Sequence, residues 1–383
     1  MSGSAVAAAA ESAEAPPGIT ADKPKSLADN RYAQYRSTTF FGALDGLRAC
    51  AVLLVVLYHT DTQFFAGRLW SWCNGQLGVP IFFVISGFLI TTLCLREEDS
   101  RGKLDLRGFY LRRSFRIFPA YFAVVTFYCL LVFVLGFEEH RAPLKAALPY
   151  LLTYLNEFSP SGTLSQTWSL GIEEKFYLVW PFLAFVLLRG RDRQRWVLAA
   201  VFVIVPAAVC TLAPVKPTVA IGYAEIMAGC MLALALHNRN SFPALYRLGS
   251  WWKSAAVAAL LLQVTFEVSG RYLPLYLPLL GYCASIALVL AALVTGQTPL
   301  AGLLESAPLA FVGRRSYGIY LVHLLALKGG RHFVPRLSSQ TLEGVLVFLG
   351  AVAISLICAD VLYRVLERPC ISYGRRLAAR RLS

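Results

Sequence analysis

Two histidines, two adjacent glutamates and a set of arginines stand inside or beside stretches of this sequence that are otherwise apolar. Ionisable side chains are expensive inside a hydrocarbon environment, so those that persist usually serve a cavity, a partner or a reaction. The first such stretch runs from Leu44-Asp45-Gly46-Leu47-Arg48 to Tyr58-His59. Arg48 and His59 are eleven residues apart; at helical rise that is roughly 16 Å along the axis, with both on nearly one face. An arginine near a helix end can simply snorkel to the surface, so Arg48 alone decides little. A histidine deep in a span either bonds a neighbour's carbonyl or handles a proton, and its cost in lipid favours the second.

A second stretch reads Trp168-Ser169-Leu170-Gly171-Ile172-Glu173-Glu174-Lys175-Phe176-Tyr177. If this helix enters from the outer face, Glu173 and Glu174 lie near the depth of His59. A carboxylate there can fix the tautomer of the imidazole and stabilise its protonated form, as in hydrolytic triads. The same glutamates also sit near a helix N-terminus, where negative charge is favoured in any case. Arg113 and Arg116, in Arg113-Ser114-Phe115-Arg116, are at helical spacing on the side of Arg48. Guanidinium forks grip phosphate, although ordinary topological charge explains them equally well. Phe82-Phe83-Val84-Ile85-Ser86-Gly87-Phe88-Leu89 places a Ser86-Gly87 step in mid-span, open either to close helix packing or to a slender ligand. His323 closes Ser316-Tyr317-Gly318-Ile319-Tyr320-Leu321-Val322-His323, where packing and function both fit. Asp45, Ser86, Glu174, Tyr177 and His323 are therefore candidates for supporting places around His59, Glu173 and the arginines.

The elements that must position these groups follow from composition. The chain has 383 residues, 57% hydrophobic and only 15% charged, with a mean hydropathy of +0.57. Soluble domains carry about a quarter charged residues. Ten apolar segments predict membrane helices near 42–64, 77–96, 117–136, 168–188, 196–213, 219–236, 253–269, 274–295, 316–333 and 342–362. The fold class expected is an all-α polytopic transmembrane helix bundle of about ten spans. The apolar stretch 144–156 is short and reads as a re-entrant or interfacial piece.

Placing the N-terminus in the cytosol puts the clusters Arg112-Arg113, Arg189 to Arg195, Arg314-Arg315 and the C-terminal arginines on one side, an excess of about threefold over the other. Counting 144–156 as a span would move the Arg189 cluster outside. Both termini are then cytosolic. The net charge of +14 needs no nucleic acid partner, because positive-inside topology accounts for it. Nine cysteines lack metal-ligand spacing and read as small hydrophobes, with no metal expected. Residues 1–38, rich in Ala, Ser, Pro and charge, read as a flexible cytosolic tail without the order of a signal peptide. Residues 39–370 form the transmembrane domain and 371–383 a basic cytosolic tail.

Taken in order, Asp45-Gly46-Leu47-Arg48 with His59, Phe82 to Leu89, Arg113-Ser114-Phe115-Arg116 with Pro119, and Trp168 to Glu174 with Phe176, Tyr177 and Pro181 resemble the acyltransferase-3 family of bacterial membrane O-acyltransferases. Ser316 to His323 and Leu366-Glu367-Arg368-Pro369 match more weakly. The resemblance covers about residues 40–370 and implies a multi-pass protein of the bacterial cytoplasmic membrane. It implies an acyl-CoA co-substrate, most often acetyl-CoA, no bound cofactor, and a carbohydrate-type acceptor in the cell envelope or among exported glycans. A secreted small molecule such as a macrolide is the alternative acceptor, and a transporter is the alternative class. The expected division of labour gives CoA phosphates to Arg48, Arg113 and Arg116, and general-base chemistry to His59, oriented by Glu173.

Overall fold

A computed structural model of the chain describes residues 27–65, 77–136, 140–160, 162–212, 217–272 and 276–380. Among the described residues every regular element is helical. In chain order these are α1 (Leu27–Ser37), α2 (Ala43–Phe64), α3 (Gly78–Arg101), α4 (Leu106–Phe133), α5 (Arg141–Leu152), α6 (Trp168–Phe182), α7 (Asp192–Leu212) and α8 (Pro217–His237). There follow α9 (Phe242–Gly249), α10 (Trp252–Tyr272), α11 (Tyr276–Val294), α12 (Leu300–Leu304), α13 (Ala307–Arg314), α14 (Ser316–Phe333), α15 (Gln340–Leu362) and α16 (Arg368–Arg380).

Local chemistry sets the ends of these helices. Asp105 caps α4 by accepting from the Gly108 amide at 3.0 Å, and Ser339 caps α15 by accepting from Leu342 N at 3.3 Å. Gly102, at φ 70°, stops α3 in the left-handed conformation that only glycine adopts freely. Pro181 cannot donate inside α6, and one π-helical turn, Leu183–Leu187, follows at once. A second π-turn, Tyr363–Glu367, joins α15 to α16.

The outer surface settles the environment. Val197, Val201, Ile204 and Val205 on α7, Val257, Leu260, Leu261 and Val264 on α10, and Leu346, Leu349, Ile357 and Val361 on α15 are all exposed. An apolar band on that scale is untenable in water, whereas in lipid it is the expected exterior of helices that satisfy their own backbone. Five helical stretches have the length and apolarity of a span: Ala43–Asp61, Gly78–Arg101, Leu106–Phe133, Leu277–Val294 and Gln340–Arg380. A sixth span is reached if Ile221–His237 and Phe242–Gly249, bent by 118°, count as one. All ten segments expected from the sequence fall on helices where they are described. α5 has 12 residues, too short to cross.

One expectation changes. The stretch expected to be flexible, 1–38, contains α1, with Tyr35 buried against Phe41 and Phe242 at ring distances of 6.0 Å each; residues 1–26 lie outside the described part. Two tyrosines one turn apart give this otherwise polar helix an apolar anchor, and Arg96 fixes its end by donating to Tyr35 O at 2.9 Å. The basic tail is likewise helical to Arg380, seating Gly374 and Tyr373 against Phe115 of α4.

Glycines bring the central helices into backbone contact. A Cβ on Gly87 of α3 would lie 2.0 Å from the Ile226 carbonyl oxygen of α8, and one on Gly229 of α8 would lie 2.0 Å from that of Val84. A Cβ on Gly46 would meet Leu304 O at 2.1 Å and one on Gly313 would meet Asp45 O at 1.8 Å. α2 is thereby seated on α12 and α13. Small-residue contacts of this kind substitute in lipid for the hydrophobic drive that holds soluble bundles together.

Candidate active site

Four helices carry the polar interior: α2, α3, α6 and α14, with α4 closing one end. On α2, Arg48 lies 3.5 Å from Asp45 and within electrostatic range of Arg116, Tyr177 and Glu173. On α4, Arg113 lies between the rings of Phe109 and Tyr177, 5.8 and 5.3 Å from their centroids. Arg116 is exposed. The neighbouring Arg112 is committed elsewhere, to Glu97 at 3.1 Å. The three arginines predicted to act together are thus brought to one end of the interior.

Glu173 occupies the middle. Ser86 of α3 donates to its carboxylate at 2.6 Å, and the Tyr177 hydroxyl donates in turn to Ser86 at 3.3 Å. Arg48 and Arg113 are within electrostatic range of the carboxylate. Gly87, beside Ser86, is used for close helix packing, the first of the two purposes expected of the Ser-Gly step. Glu174 shares Arg113 with Glu173 and otherwise lies within range of Lys175 and of the phenols of Tyr154 and Tyr317.

His59 has partners of its own. Its Nδ1 lies 2.9 Å from the carbonyl oxygen of Val55. Its ring packs edge-on against His323 of α14, centroids 4.9 Å apart. His323 is fully buried, with its own Nδ1 2.7 Å from Tyr320 O. Tyr320 links the two halves of the site, since its hydroxyl is 2.7 Å from Ser169 of α6 and lies within range of Glu173.

The sequence placed Glu173 at the depth of His59 as its orienting carboxylate. In the structure Glu173 belongs with Ser86, Tyr177 and the arginines, and the imidazole has His323 as its neighbour. The reason lies before α6. Asn156, Thr163, Gln166 and Thr167 are all buried, so the chain sinks into the bundle before the helix begins. Asn156 secures this segment by donating to Tyr121 at 3.0 Å and to Thr167 O at 3.1 Å. The first turn of α6 is therefore packed inside the bundle, with Ser169, Leu170, Gly171 and Ile172 all buried. Lys175, paired with buried Glu157 at 2.6 Å, Ser169 and Tyr320 were not read as site residues. A polar run of Asn, Thr and Gln between apolar segments was the available signal.

Among the described residues no group of three or more His, Cys, Asp or Glu side chains is placed to hold a metal ion. Cys94, Cys230 and Cys283 are buried and unbridged. Arg48, His59, Ser86, Glu173 and Glu174 each keep partial solvent access despite their interior position.

Fold and site together define a polytopic membrane protein with an ionisable interior, a class that holds both transferases and transporters. Comparison shows the family. The chain belongs to the acyltransferase-3 family, whose profile, described as an acyltransferase domain, matches residues 41–364. It is 30% identical over 92% of its length to a putative peptidoglycan O-acetyltransferase, YrhL, of Bacillus subtilis (strain 168), and spans 58% of that protein. It is 28% identical over 88% of its length to the peptidoglycan O-acetyltransferase OatA of Listeria monocytogenes serovar 1/2a, spanning 57% of it. A putative O-acetyltransferase of Staphylococcus aureus (strain COL) matches at 28% over 88% of the chain and 58% of the relative. The chain thus spans a little over half the length of these relatives. No solved structure matches it.

Proposed function

We propose that this chain is a membrane-embedded O-acetyltransferase that takes an acetyl group from acetyl-CoA at the cytosolic face and delivers it to a hydroxyl of a cell-envelope carbohydrate. Peptidoglycan, which two of the relatives are named for, is the acceptor to try first. The reading includes residence in the bacterial cytoplasmic membrane, about ten spans and cytosolic termini. The observation that carries it is the ordering of the interior: Arg48, Arg113 and Arg116 at one end, His59 and His323 at the other, and the Ser86–Glu173 pair between them.

The chemistry follows from that order. Arginine forks at the basic end suit the phosphates of an elongated donor. The Arg48–His59 separation of roughly 16 Å along one helix matches the reach of its pantetheine arm. A hydroxyl is a weak nucleophile at neutral pH and needs a positioned base. A backbone carbonyl only accepts, so Nδ1 of His59 carries the proton and Nε2 presents its lone pair. His59 Nε2 takes the acceptor proton as its oxygen bonds to the thioester carbon. The C–S bond then breaks, and the same nitrogen returns the proton to the sulfur. Glu173, held by Ser86, supplies negative charge that keeps Arg48 and Arg113 in place.

The test is transfer of label from acetyl-CoA to isolated cell-wall glycan by the protein in lipid nanodiscs. His59→Ala is expected to lower the rate by about a hundredfold or more, while binding of acetyl-CoA by equilibrium dialysis stays at the wild-type level. Wild-type rates in that variant exclude His59 as the base. Failure of the wild type to bind acetyl-CoA excludes this donor.

A further inference from the structure

Both histidines of the pair are fixed in the same tautomer by the backbone. His59 Nδ1 faces Val55 O at 2.9 Å, and His323 Nδ1 faces Tyr320 O at 2.7 Å. Each Nδ1 must therefore donate, which leaves each Nε2 as an acceptor. His59 is placed to use its lone pair on a reacting hydroxyl. His323 has no such assignment. It is 0% exposed, and among the described residues no donor reaches its Nε2. A buried acceptor without a partner is costly, so few are kept without a use. With ring centroids 4.9 Å apart, the two imidazoles pack on each other, and neither can supply the hydrogen that the other lacks.

We propose that His323 is a specificity-determining residue: its Nε2 accepts a second O–H or N–H of the acceptor molecule, beside the hydroxyl that His59 deprotonates. This rests on the acyltransferase reading above. The acceptor class it selects carries two polar hydrogens within a few ångströms of each other. Amino sugars and other polyhydroxylated rings do; a simple alcohol does not. His323 gains and loses no proton in the reaction; the proton moves only between the acceptor oxygen, His59 Nε2 and the departing sulfur. The gain is orientation, since a two-point grip holds one hydroxyl against the base and turns its neighbours away.

The experiment measures binding of the N-acetylglucosamine–N-acetylmuramic acid disaccharide, and of its permethylated form, to wild type, His323→Gln and His323→Leu in nanodiscs. Glutamine places an amide oxygen near the position of Nε2 and leucine places no acceptor there. The disaccharide is expected to bind wild type and His323→Gln alike, and His323→Leu about tenfold more weakly. The permethylated sugar, which has no donors, is expected to bind His323→Leu and wild type equally. Equal disaccharide affinity in wild type and His323→Leu overturns the inference. So does a loss in His323→Leu that is the same for both sugars, which marks a packing role. A wild type that binds acetyl-CoA but neither sugar removes the cell-wall acceptor and this inference together; the other two results leave the acceptor standing.

Discussion

At the scale of single residues, the site depends on groups whose partners are already fixed. Ser86 gives its hydrogen to the Glu173 carboxylate, and a hydrogen bond to a buried charge is worth about 1–3 kcal/mol when broken. Ser86→Ala is expected to lower transfer about tenfold. Adding Ser86→Ala to Glu173→Ala is expected to cost nothing more, because either change alone removes the bond between them; a double variant slower by the product of the single effects shows independent roles. Arg48 and Arg113 differ from the general run of basic residues in this chain because they face inward. Arg48→Ala is expected to raise the KM for acetyl-CoA about tenfold or more, with a smaller change in KM for the acceptor, measured by initial rates. An unchanged KM places the donor phosphates elsewhere. His59, Glu173 and the three arginines were legible because charged groups stand out in apolar runs. The pairing of His59 with His323 was not, because residues 264 positions apart in sequence meet only through the crossing of α2 and α14. Nor were the partners of Glu173, which follow a buried segment of short 3-10 turns with no periodicity to read.

At the scale of elements, glycine decides which helices touch. Gly87→Ala puts a methyl group 2.0 Å from a carbonyl oxygen of α8, which the backbone cannot accept without moving apart. The expected cost is about 1–3 kcal/mol, read as a lower Tm in detergent. Gly302→Ala is the control, because nothing lies within 4 Å of the added carbon. Equal Tm values for the two variants mean that α3 and α8 do not pack as described. Helix positions were readable from apolar runs, and each of the ten segments lies on a helix. Helix partners were less so. The sequence reading gave the Ser86-Gly87 step a packing role but could not name α8 as the neighbour. The helical character of 27–37 and 371–380 was hidden by polar composition, which masks the few aromatic and small residues that dock these helices: Tyr35 on Phe242, and Gly374 on Phe115.

At the scale of the whole molecule, sidedness follows from charge. With the arginine end of the interior in the cytosol, a fluorescent protein fused after residue 383 is expected to fluoresce, and alkaline phosphatase at the same place to stay inactive. The reverse result inverts the topology and puts the donor end on the wrong side for acetyl-CoA. The glycine contacts carry one more consequence. α2 is clasped main chain to main chain by α12 and α13, α3 by α8, and α14 by α15 through Gly330. α6 has no such clasp with another spanning helix; its one glycine in close contact, Gly171, leans on Glu157 and Tyr154 of the segment before it. Helices joined main chain to main chain can part only as whole bodies, whereas α6, held to its neighbours by side chains, can shift by rotamer changes.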